Sequence, residues 1–328
     1  MTPSTGAKRA MRVRFWGTRG SIPVALTQVD IRDKLARALV AAAGRRFASY
    51  GEAYEFAAQT LPFAVSHTFG GHTSCVELET GSDEYFVCDM GSGARAFGEH
   101  VLARQAGRPA TVNVFMSHVH WDHIMGFPFF GPAYVRGTRI RIHGCHDILE
   151  RAFRLQQSPP CFPVSFDHLG ATIEFIQIPP GRPTEVSGLR VTPQLQRHSG
   201  DSYGFRFEIG GRHIVYSTDS EHKLEDRTQT EAIVGFFRDA DLVIFDAMYS
   251  LAEAISVKED WGHSSNVVGV ELCQLARVKH LVLFHHEPAN SDAAIEGALR
   301  DAQRLEELTR GKHALRVSAA HDGLEIEL

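Results

Sequence analysis

The chain contains Ser117-His118-Val119-His120-Trp121-Asp122-His123 directly behind the apolar run of residues 112–116. Alternate residues of an extended segment point to the same side, so His118 and His120 can face one metal ion together. If the chain then turns into a helix, Asp122 and His123 can face a second ion beside the first. Three imidazoles and a carboxylate at the end of a strand therefore predict a metal site.

The composition is that of an ordinary globular protein and gives no sign of a polyanionic partner. The chain has 328 residues, of which 43% are hydrophobic and 22% are charged, and its formal net charge is -5. This hydrophobic content is enough to form a sizeable core. Because Lys and Arg do not form the basic runs that follow a nucleic-acid backbone, we expect no large RNA or DNA substrate. A small phosphate ester remains compatible with this charge.

Cysteine usage and the lack of long apolar runs predict a soluble, cytoplasmic protein. No stretch approaches the roughly 18 apolar residues of a membrane span. Residues 1–10 lack the apolar region of a signal peptide, and we expect a disordered lead-in there. The cysteines have no C-x-x-C spacing, so we expect free thiols and no disulfide framework. The five cysteines are Cys75, Cys88, Cys145, Cys161 and Cys273.

Apolar strand patterns occur in two sets, one within residues 11–142 and the other within residues 172–284. Many are alternating or continuous apolar runs bounded by Gly, Pro, Asp or Ser, and helical patterns lie between them. Two such sets predict an α/β fold in which two sheets pack face to face with helices outside. We expect residues 11–328 to form a single domain.

A separate helical pattern, with Ile31, Leu35 and Leu39 on one side, runs from about residue 30 to residue 61 and is interrupted at Gly44. It separates two glycine-containing segments, at residues 20–23 and 69–74. We therefore predict a helical insertion at about residues 26–66. A lid, a dimer surface and a plain packing element are all compatible with this pattern.

Three further polar side chains stand at the ends of later apolar strands. His198 follows residues 191–197, Asp219 follows residues 214–218, and His285 follows residues 281–284. In α/β architectures the carboxyl ends of strands carry the functional site. A carboxylate such as Asp219 can bridge two cations, because its two oxygens reach in different directions. Imidazole and carboxylate without thiolate favour two Zn²⁺ ions, with Mn²⁺ or Fe²⁺ as alternatives.

These ordered motifs resemble the metallo-β-lactamase superfamily over nearly the whole sequence. The closest resemblance is to its phosphodiesterase branch, which includes tRNA 3′-end processing endonucleases and small cyclic-phosphate diesterases. The resemblance implies a four-layer αβ/βα sandwich with two metals at one edge. It rests on Phe15-Trp16-Gly17-Thr18-Arg19-Gly20, Gly70-Gly71-His72-Thr73-Ser74, His198 before Tyr203-Gly204-Phe205, and Tyr216-Ser217-Thr218-Asp219.

The resemblance also implies how the side chains divide between the two metals. The ligands of the first metal would be His118, His120 and His198, and those of the second would be Asp122, His123 and His285. Asp219 would bridge the two ions. His286 is a rival for His285, which we prefer because it directly follows the strand.

A second motif, Trp261-Gly262-His263-Ser264, resembles the His-Ser/Thr motif of the phosphodiesterase branch, in which the histidine approaches the phosphate. The resemblance implies that His263 binds a phosphoryl oxygen or protonates the leaving group. A histidine satisfied by the backbone beside a helix start is the alternative. Weaker candidates for orienting a ligand or contacting substrate are Asp89, His72, Arg19 and His286.

The function we expect is hydrolysis of a small phosphodiester such as a cyclic nucleotide, by a metal-bridged hydroxide that Asp122 orients. One alternative is hydrolysis of a lactone or thioester at the same site. Another is tRNA 3′-end processing, which needs a basic arm, whereas residues 30–61 are mixed in charge. Related proteins often dimerise, so a homodimer is compatible with the resemblance. Aromatic residues that can wall a base-sized pocket or pack in the core are Trp121, Phe127, Phe129, Phe130 and Tyr134.

Overall fold

The computed structural model describes residues 11–223, 225–250 and 261–328. The expected lead-in at residues 1–10 lies outside the described residues. The described strands form two seven-stranded sheets. Across the first sheet the strands lie in the order Glu325–Glu327, Arg12–Gly17, Cys75–Glu79, Tyr85–Cys88, Thr111–Met116, Arg139–Gly144 and Thr172–Gln177. Across the second they lie in the order Arg316–Ala319, His280–Phe284, Leu242–Asp246, Arg212–Ser217, Ser202–Ile209, Leu189–Gln196 and Thr184–Val186.

In the first sheet, the third to the sixth strands along the chain run parallel to one another. Their carboxyl ends therefore lie at a common edge. The sheet's remaining strands pair in antiparallel fashion. Its members are β1 (Arg12–Gly17), β2 (Cys75–Glu79), β3 (Tyr85–Cys88), β4 (Thr111–Met116), β5 (Arg139–Gly144), β6 (Thr172–Gln177) and β14 (Glu325–Glu327).

The second sheet combines an antiparallel half with a parallel half. Its members are β7 (Thr184–Val186), β8 (Leu189–Gln196), β9 (Ser202–Ile209), β10 (Arg212–Ser217), β11 (Leu242–Asp246), β12 (His280–Phe284) and β13 (Arg316–Ala319). Strands β10 to β13 run parallel, and β8 runs in the same direction because two antiparallel pairings separate it from β10. The carboxyl ends of β8, β10, β11 and β12 therefore lie at one edge.

Helices cover the outer faces of both sheets. The α-helices are α1 (Gln28–Ala41), α2 (Tyr50–Thr60), α3 (Phe63–Ser66), α4 (Ala94–Gln105), α5 (Trp121–Ile124), α6 (Leu149–Gln156), α7 (Arg227–Phe237), α8 (Asn266–Leu275) and α9 (Asp292–Thr309). Apolar side chains of α4 and α6 join the core behind the first sheet, and those of α7, α8 and α9 join the core behind the second. The predicted four-layer sandwich is confirmed.

The core between the two sheets combines aliphatic side chains with seven buried aromatic rings. The ring centroid of Phe115 on β4 lies 5.1 Å from that of Phe207 and 5.8 Å from that of Phe205, both on β9 of the opposite sheet. Phe15 and Tyr216 approach Phe284 at 6.1 and 5.8 Å. These side chains are essentially inaccessible to solvent, so their burial supplies hydrophobic free energy that holds the sheets together.

The predicted insertion is helical and consists of α1, α2 and α3, between β1 and β2. Thr27 begins α1 with a capping box, in which its side chain accepts from the backbone of Asp30 and the Asp30 carboxylate accepts from the backbone of Thr27. Such a cap satisfies backbone donors that a helix start leaves unpaired. None of the residues of α1 or α2 is buried.

The structure also bears on the state of the cysteines and on membrane-spanning helices. All five cysteines are free, as predicted, and Cys161 alone among them is exposed. Among the residues that the structure describes, we find no helix whose length and apolar content would let it span a bilayer.

The inter-sheet aromatic core gives a direct test of the packing. Phe115→Ala should lower the free energy of unfolding by about 3–5 kcal/mol, because the ring is fully buried and its loss leaves a cavity. The matched control is Phe129→Ala, since Phe129 is 60% exposed and its loss should cost about 0.5 kcal/mol or less. Urea unfolding measures both, and equal losses would contradict this assignment of the core.

Candidate metal centre

The predicted ligands come together at the edge where the carboxyl ends of the strands meet. Strand β4 leads into His118 and His120, and the short helix α5 then carries the buried Asp122 and His123. The other predicted ligands follow β8, β10 and β12, and they are His198, Asp219 and His285. Residues that are 167 positions apart in the sequence, as His118 and His285 are, thereby share one site.

The ligand atoms form two groupings. The first comprises His118, His120 and His198, and the second comprises Asp122, His123, Asp219 and His285; within each grouping the ligand atoms lie within 4.8 Å of one another. Nε2 of His198 lies 3.1 Å from Nδ1 of His120. Nε2 atoms of His123 and His285 lie 3.2 and 3.4 Å from Oδ2 of Asp122.

Asp219 belongs to the second grouping and also faces the first, with one carboxylate oxygen directed at each. Its Oδ1 is 3.1 Å from Nε2 of His123 and 3.2 Å from Nε2 of His285. Its Oδ2 is 3.7 Å from Nε2 of His118 and also 3.7 Å from Nε2 of His198. The side chain therefore has the arrangement expected of a carboxylate that bridges two cations.

The donor atoms fit divalent metal ions. Among the described residues, Nε2 atoms of His118, His123 and His285 are buried and have no hydrogen-bond partner. Buried polar atoms are nearly always hydrogen-bonded, so three orphaned nitrogens converging on carboxylates require another partner. Imidazole nitrogens and carboxylate oxygens are common ligands of such metals, and the two groupings contain no thiolate.

The site lowers the pKa values of three of its imidazoles and of the carboxylates of Asp122 and Asp219. Burial lowers the pKa of His118 well below its usual value and also lowers the pKa values of His120 and His198. Burial acts in the same direction on His123, but the carboxylates of Asp122 and Asp219 outweigh it and raise the pKa of His123. Neutral imidazoles are the form that binds metal, and a cation would compensate the negative charge of the carboxylates.

Asp89 orients one of the ligand histidines. Nδ1 of His123 lies 2.8 Å from Oδ2 of Asp89, which directs the opposite ring nitrogen to the cluster. The same carboxylate accepts hydrogen bonds from the backbone and hydroxyl of Ser117 and from the hydroxyl of Tyr216. Carboxylate–histidine contacts of this kind fix the tautomer and the ring plane of metal ligands.

Two glycines allow backbone to approach the ligands closely. Nδ1 of His198 donates to the carbonyl of Gly262 at 2.9 Å, and a Cβ on Gly262 would lie 2.5 Å from that nitrogen. A Cβ on Gly20 would lie 2.6 Å from Cε1 of His285. The neighbouring Ser21 backbone N–H donates to Oδ2 of Asp122 at 2.8 Å. The loop after β1 therefore contacts the second grouping directly.

The structure brings His285, and not His286, into the ligand groupings. His285 adopts a left-handed backbone conformation with φ 59°, directly after β12. Nε2 of His286 donates to the carbonyl of Ala320 at 2.9 Å, and its ring packs edge-on against Phe69. Burial lowers the pKa of His286 to about 3.

The two remaining weak candidates contact loops. Arg19 is buried, and its guanidinium donates to the carbonyls of Gly70, Glu287 and Asn290. Arg19 therefore ties the loop after β1 to two other loops. His72 is exposed, and its Nδ1 lies 3.2 Å from the hydroxyl of Ser92. Neither side chain belongs to a ligand grouping.

His263 lies beside the cluster and is paired with a residue that the sequence analysis missed. Its Nδ1 is 2.8 Å from Oδ2 of Asp246, which is fully buried at the end of β11. Burial lowers the pKa of His263, but the Asp246 carboxylate outweighs burial and raises the pKa to about 9. One nitrogen of His263 lies within 4.8 Å of ligand atoms of His198 and Asp219. The strand-end rule that indicated Asp219 also applies to Asp246.

Comparison with known proteins adds a family and a set of relatives. A family model described as the beta-lactamase superfamily domain matches residues 85–286, which is more than half of the chain. Ribonuclease Z of Methanosarcina acetivorans is 25% identical over 301 residues, covering 75% of this chain and 89% of the relative. Ribonuclease Z of Latilactobacillus sakei is 20% identical and covers 70% of this chain and 85% of its own length.

Solved structures share the same fold at low sequence identity. The metallo-beta-lactamase fold protein YhfI from Bacillus subtilis superposes with a TM-score of 0.64 at 17% identity, covering 97% of this chain and 99% of that chain. Yeast PDE1 gives 0.60 at 14% identity, covering 97% and 99%. The short form of human tRNase Z gives 0.55 at 19% identity, covering 96% and 98%.

The neighbouring histidines after β12 provide a matched pair for testing the metal centre. His285→Ala should lower the metal content after dialysis, because it removes a nitrogen that faces Asp122 and Asp219. His286→Ala should keep the wild-type metal content and cost about 1–3 kcal/mol of stability, because it leaves the Ala320 carbonyl without its donor. Elemental analysis and thermal unfolding measure the two effects, and the reverse pattern would contradict the ligand assignment.

Proposed function

We propose that this chain, which belongs to the metallo-β-lactamase superfamily of hydrolases, is a phosphodiesterase with a dinuclear metal centre. The observation that carries the proposal is the His263–Asp246 pair at the side of the ligand cluster. The Asp246 carboxylate raises the pKa of His263, so this histidine would supply a protonated donor in addition to the metals. Such a donor suits the negatively charged oxygens and the leaving alcohol of a phosphodiester.

Two zinc ions are the metals that we propose, because all the ligands are imidazoles and carboxylates. His118, His120 and His198 would hold one ion, while His123 and His285 would hold the other together with Asp122. Asp219 would contact both. When bound, the ions would lower the pKa of a water molecule to near neutrality and offset charge on the phosphoryl oxygens.

The chain's own residues would then position the reaction. Asp122 is held by the Ser21 backbone N–H and lies beside His123 and His285, where its carboxylate can orient the attacking water. His263 has its Nδ1 directed at Asp246. Its second nitrogen would donate a hydrogen bond to a phosphoryl oxygen or a proton to the leaving oxygen. Asp246 would stabilise the protonated form of His263 that makes this donation.

Hydrolysis of a lactone or thioester is the carbonyl alternative, and it would use the same ligands. The fold does not distinguish the two chemistries, since related folds host many reactions. A carbonyl substrate develops one oxyanion, which two cations can neutralise. The additional cationic histidine therefore favours the phosphodiester.

Processing of tRNA 3′ ends is a second candidate, which the ribonuclease Z relatives support about as well as the site itself supports a small diester. They weaken the expectation that a large nucleic acid is excluded. The main observation in favour of a small substrate is the character of the insertion. Its helix α1 exposes Ile31, Leu35 and Leu39, where a tRNA-binding arm would present a basic surface.

Two exposed tryptophans favour a substrate with a base. The chain has three tryptophans, and the two that are largely exposed, Trp121 at 65% and Trp261 at 61%, both adjoin the metal centre in sequence. Trp121 follows His120, while Trp261 precedes Gly262, whose carbonyl accepts from His198. Nucleobases stack on exposed aromatic rings of this kind. Phe127 and Phe130, by contrast, are fully buried in the core.

A parallel assay of four substrate classes tests the proposal. The zinc-loaded protein should hydrolyse bis(p-nitrophenyl) phosphate and a cyclic nucleotide, and should leave a lactone panel untouched. Cleavage of a precursor tRNA at its 3′ end, without turnover of cyclic nucleotides, would instead support the endonuclease. Turnover confined to lactones would overturn the phosphodiesterase assignment.

His263→Ala should keep the wild-type metal content and lower kcat on a diester by about 10²–10⁴-fold, the range for loss of a general acid. Asp246→Asn is the companion variant, and its loss should be smaller because the imidazole remains in place. Elemental analysis with steady-state kinetics separates loss of metal from loss of chemistry. Full activity in His263→Ala would show that this histidine has no catalytic role.

Trp121→Ala should lower kcat/KM for a cyclic nucleotide by about 10-fold or more, because stacking on a base contributes about 1–3 kcal/mol. Its kcat/KM for glycerol cyclic phosphate, which has no base, should stay within a factor of about 3 of wild type. Leu155→Ala, at a side chain on α6 that is 70% exposed, is the control for loss of an apolar surface group. Equal losses on both substrates would contradict a stacking role.

A further inference from the structure

The segment that follows β1 is fixed to both sheets at the edge that carries the candidate ligands. Arg19 forms one isolated β-bridge with Thr73, two residues before β2 of the first sheet, and another with His286, two residues after β12 of the second. The backbone N–H of Gly20 donates to the carbonyl of His286 at 3.0 Å. The segment is therefore held on two sides before it reaches the ligands.

The buried Arg19 side chain holds the same segment in place. Its Nε donates to the carbonyl of Gly70 at 2.9 Å, and its Nη1 donates to the carbonyls of Glu287 and Asn290 at 3.1 and 2.9 Å. Its Nη2 lies 3.9 Å from Oδ1 of Asp292. The planar guanidinium offers several donors in a fixed geometry, which the single ammonium of a lysine does not. A shift of this segment would therefore break hydrogen bonds in the protein interior, which is costly.

Ser21 continues the segment in a conformation that its surroundings must impose. Its φ is 57°, in the left-handed region, where a residue other than glycine is strained by on the order of 1–3 kcal/mol. In this conformation the backbone N–H of Ser21 points at Oδ2 of Asp122, at a distance of 2.8 Å. The Ser21 side chain is exposed, so the backbone makes the contact with the candidate ligand.

The oxygen that accepts this hydrogen bond is the one that faces the second ligand grouping. Oδ2 of Asp122 lies 3.2 Å from Nε2 of His123 and 3.4 Å from Nε2 of His285. The carboxylate torsion of an aspartate has broad minima, so a fixed donor is needed to select one orientation. The Ser21 N–H selects the orientation in which Oδ2 is directed at the partners of the second metal.

We propose that Ser21, through its backbone N–H, is a positioning residue for Asp122 and thereby sets the affinity of the protein for the second metal ion. Arg19 maintains this contact by fixing the segment. The inference rests on the proposed dinuclear centre, and it is independent of the class of substrate. The ligands proposed for the first metal do not include Asp122, so the affinity for that ion does not depend on Ser21.

Titration of the metal-free full chain with Co²⁺, followed by the visible absorption of the bound ion, tests the proposal without an activity assay. Wild type should bind two equivalents. Ser21→Pro removes the N–H, and it should weaken the second equivalent by about 10–100-fold, the usual effect of losing a hydrogen bond to a metal ligand. The first equivalent should bind as it does in wild type. Ser21→Gly keeps the N–H in a residue that favours positive φ, and it should restore the second equivalent.

Two further measurements separate positioning from a general effect on structure. Ala106→Pro is the matched control, because Ala106 is exposed after α4, has a φ of 51° and donates its N–H to the carbonyl of Ala103. It should bind both ions as wild type does. In an Asp122→Ala background, Ser21→Pro should cause no further loss of metal affinity, since the N–H no longer has its acceptor. Circular dichroism and melting curves verify that each variant is folded.

Arg19→Lys is a second variant that leaves Ser21 unchanged and keeps a positive charge near Asp292. It should weaken the second equivalent selectively, because one ammonium cannot replace the three donations to the carbonyls. An unchanged second equivalent in Ser21→Pro would overturn the proposal, and so would an equal weakening of both ions. In either case the dinuclear centre itself would stand. A wild type that binds fewer than two equivalents would overturn the dinuclear centre together with this inference.

Discussion

The structure depends on one buried carboxylate, that of Asp219, which touches imidazoles from both sides of the site. Burial alone would make this charge very costly. Burial raises the pKa of Asp219, yet the surrounding His285, His123 and His118 hold it well below its usual value. A carboxylate in this position keeps its charge only if cations or protonated imidazoles accompany it. The two sheets must therefore bring the ends of β4, β8, β10 and β12 together around it, and the four-layer sandwich does so.

Around this centre, the loops that follow strands adopt conformations that side chains seldom take. Asp89, Asp219 and His285 have positive φ values of 58°, 22° and 59°. Left-handed backbone at residues other than glycine is strained, and such strain concentrates at functional sites where the surrounding contacts impose it. Here the imposed conformation turns each side chain sharply from the end of its strand. Hydrogen bonds from His123 to Asp89 and from His198 to Gly262 then hold the rings in place.

The candidate metal site and the exposed helical insertion occupy different parts of the same fold. The sandwich fold is shared with solved structures that include yeast PDE1 and the short form of human tRNase Z. In the proposed function, the exposed Trp121 and Trp261 beside the candidate metal site would contribute to the choice of substrate. The insertion contributes a separate apolar surface, yet it leaves the core through Gly20 and Ser21, which contact His285 and Asp122. The insertion and the candidate ligands are thus linked by a few residues of backbone.

Local rules were sufficient to predict the sandwich and to select the side chains that meet at its edge. The alternation of a strand relates His118 to His120, and the position after an apolar run indicates His198, Asp219 and His285. The same rule also indicates Asp246, the last residue of β11, which contacts His263.

Tertiary structure alone decided the orientation of side chains whose partners are distant in sequence. His285 turns to the ligands and His286 to Ala320 because their strand ends in a left-handed residue. The helical pattern of α1 was evident in the sequence, but the pattern placed its apolar stripe on no particular side. Lys34 determines which side of α1 faces the protein, because it pairs with Asp292, 258 residues further along the chain. A sequence pattern describes a helix and its faces, whereas the buried charge that a face must meet is known only once the chain has folded.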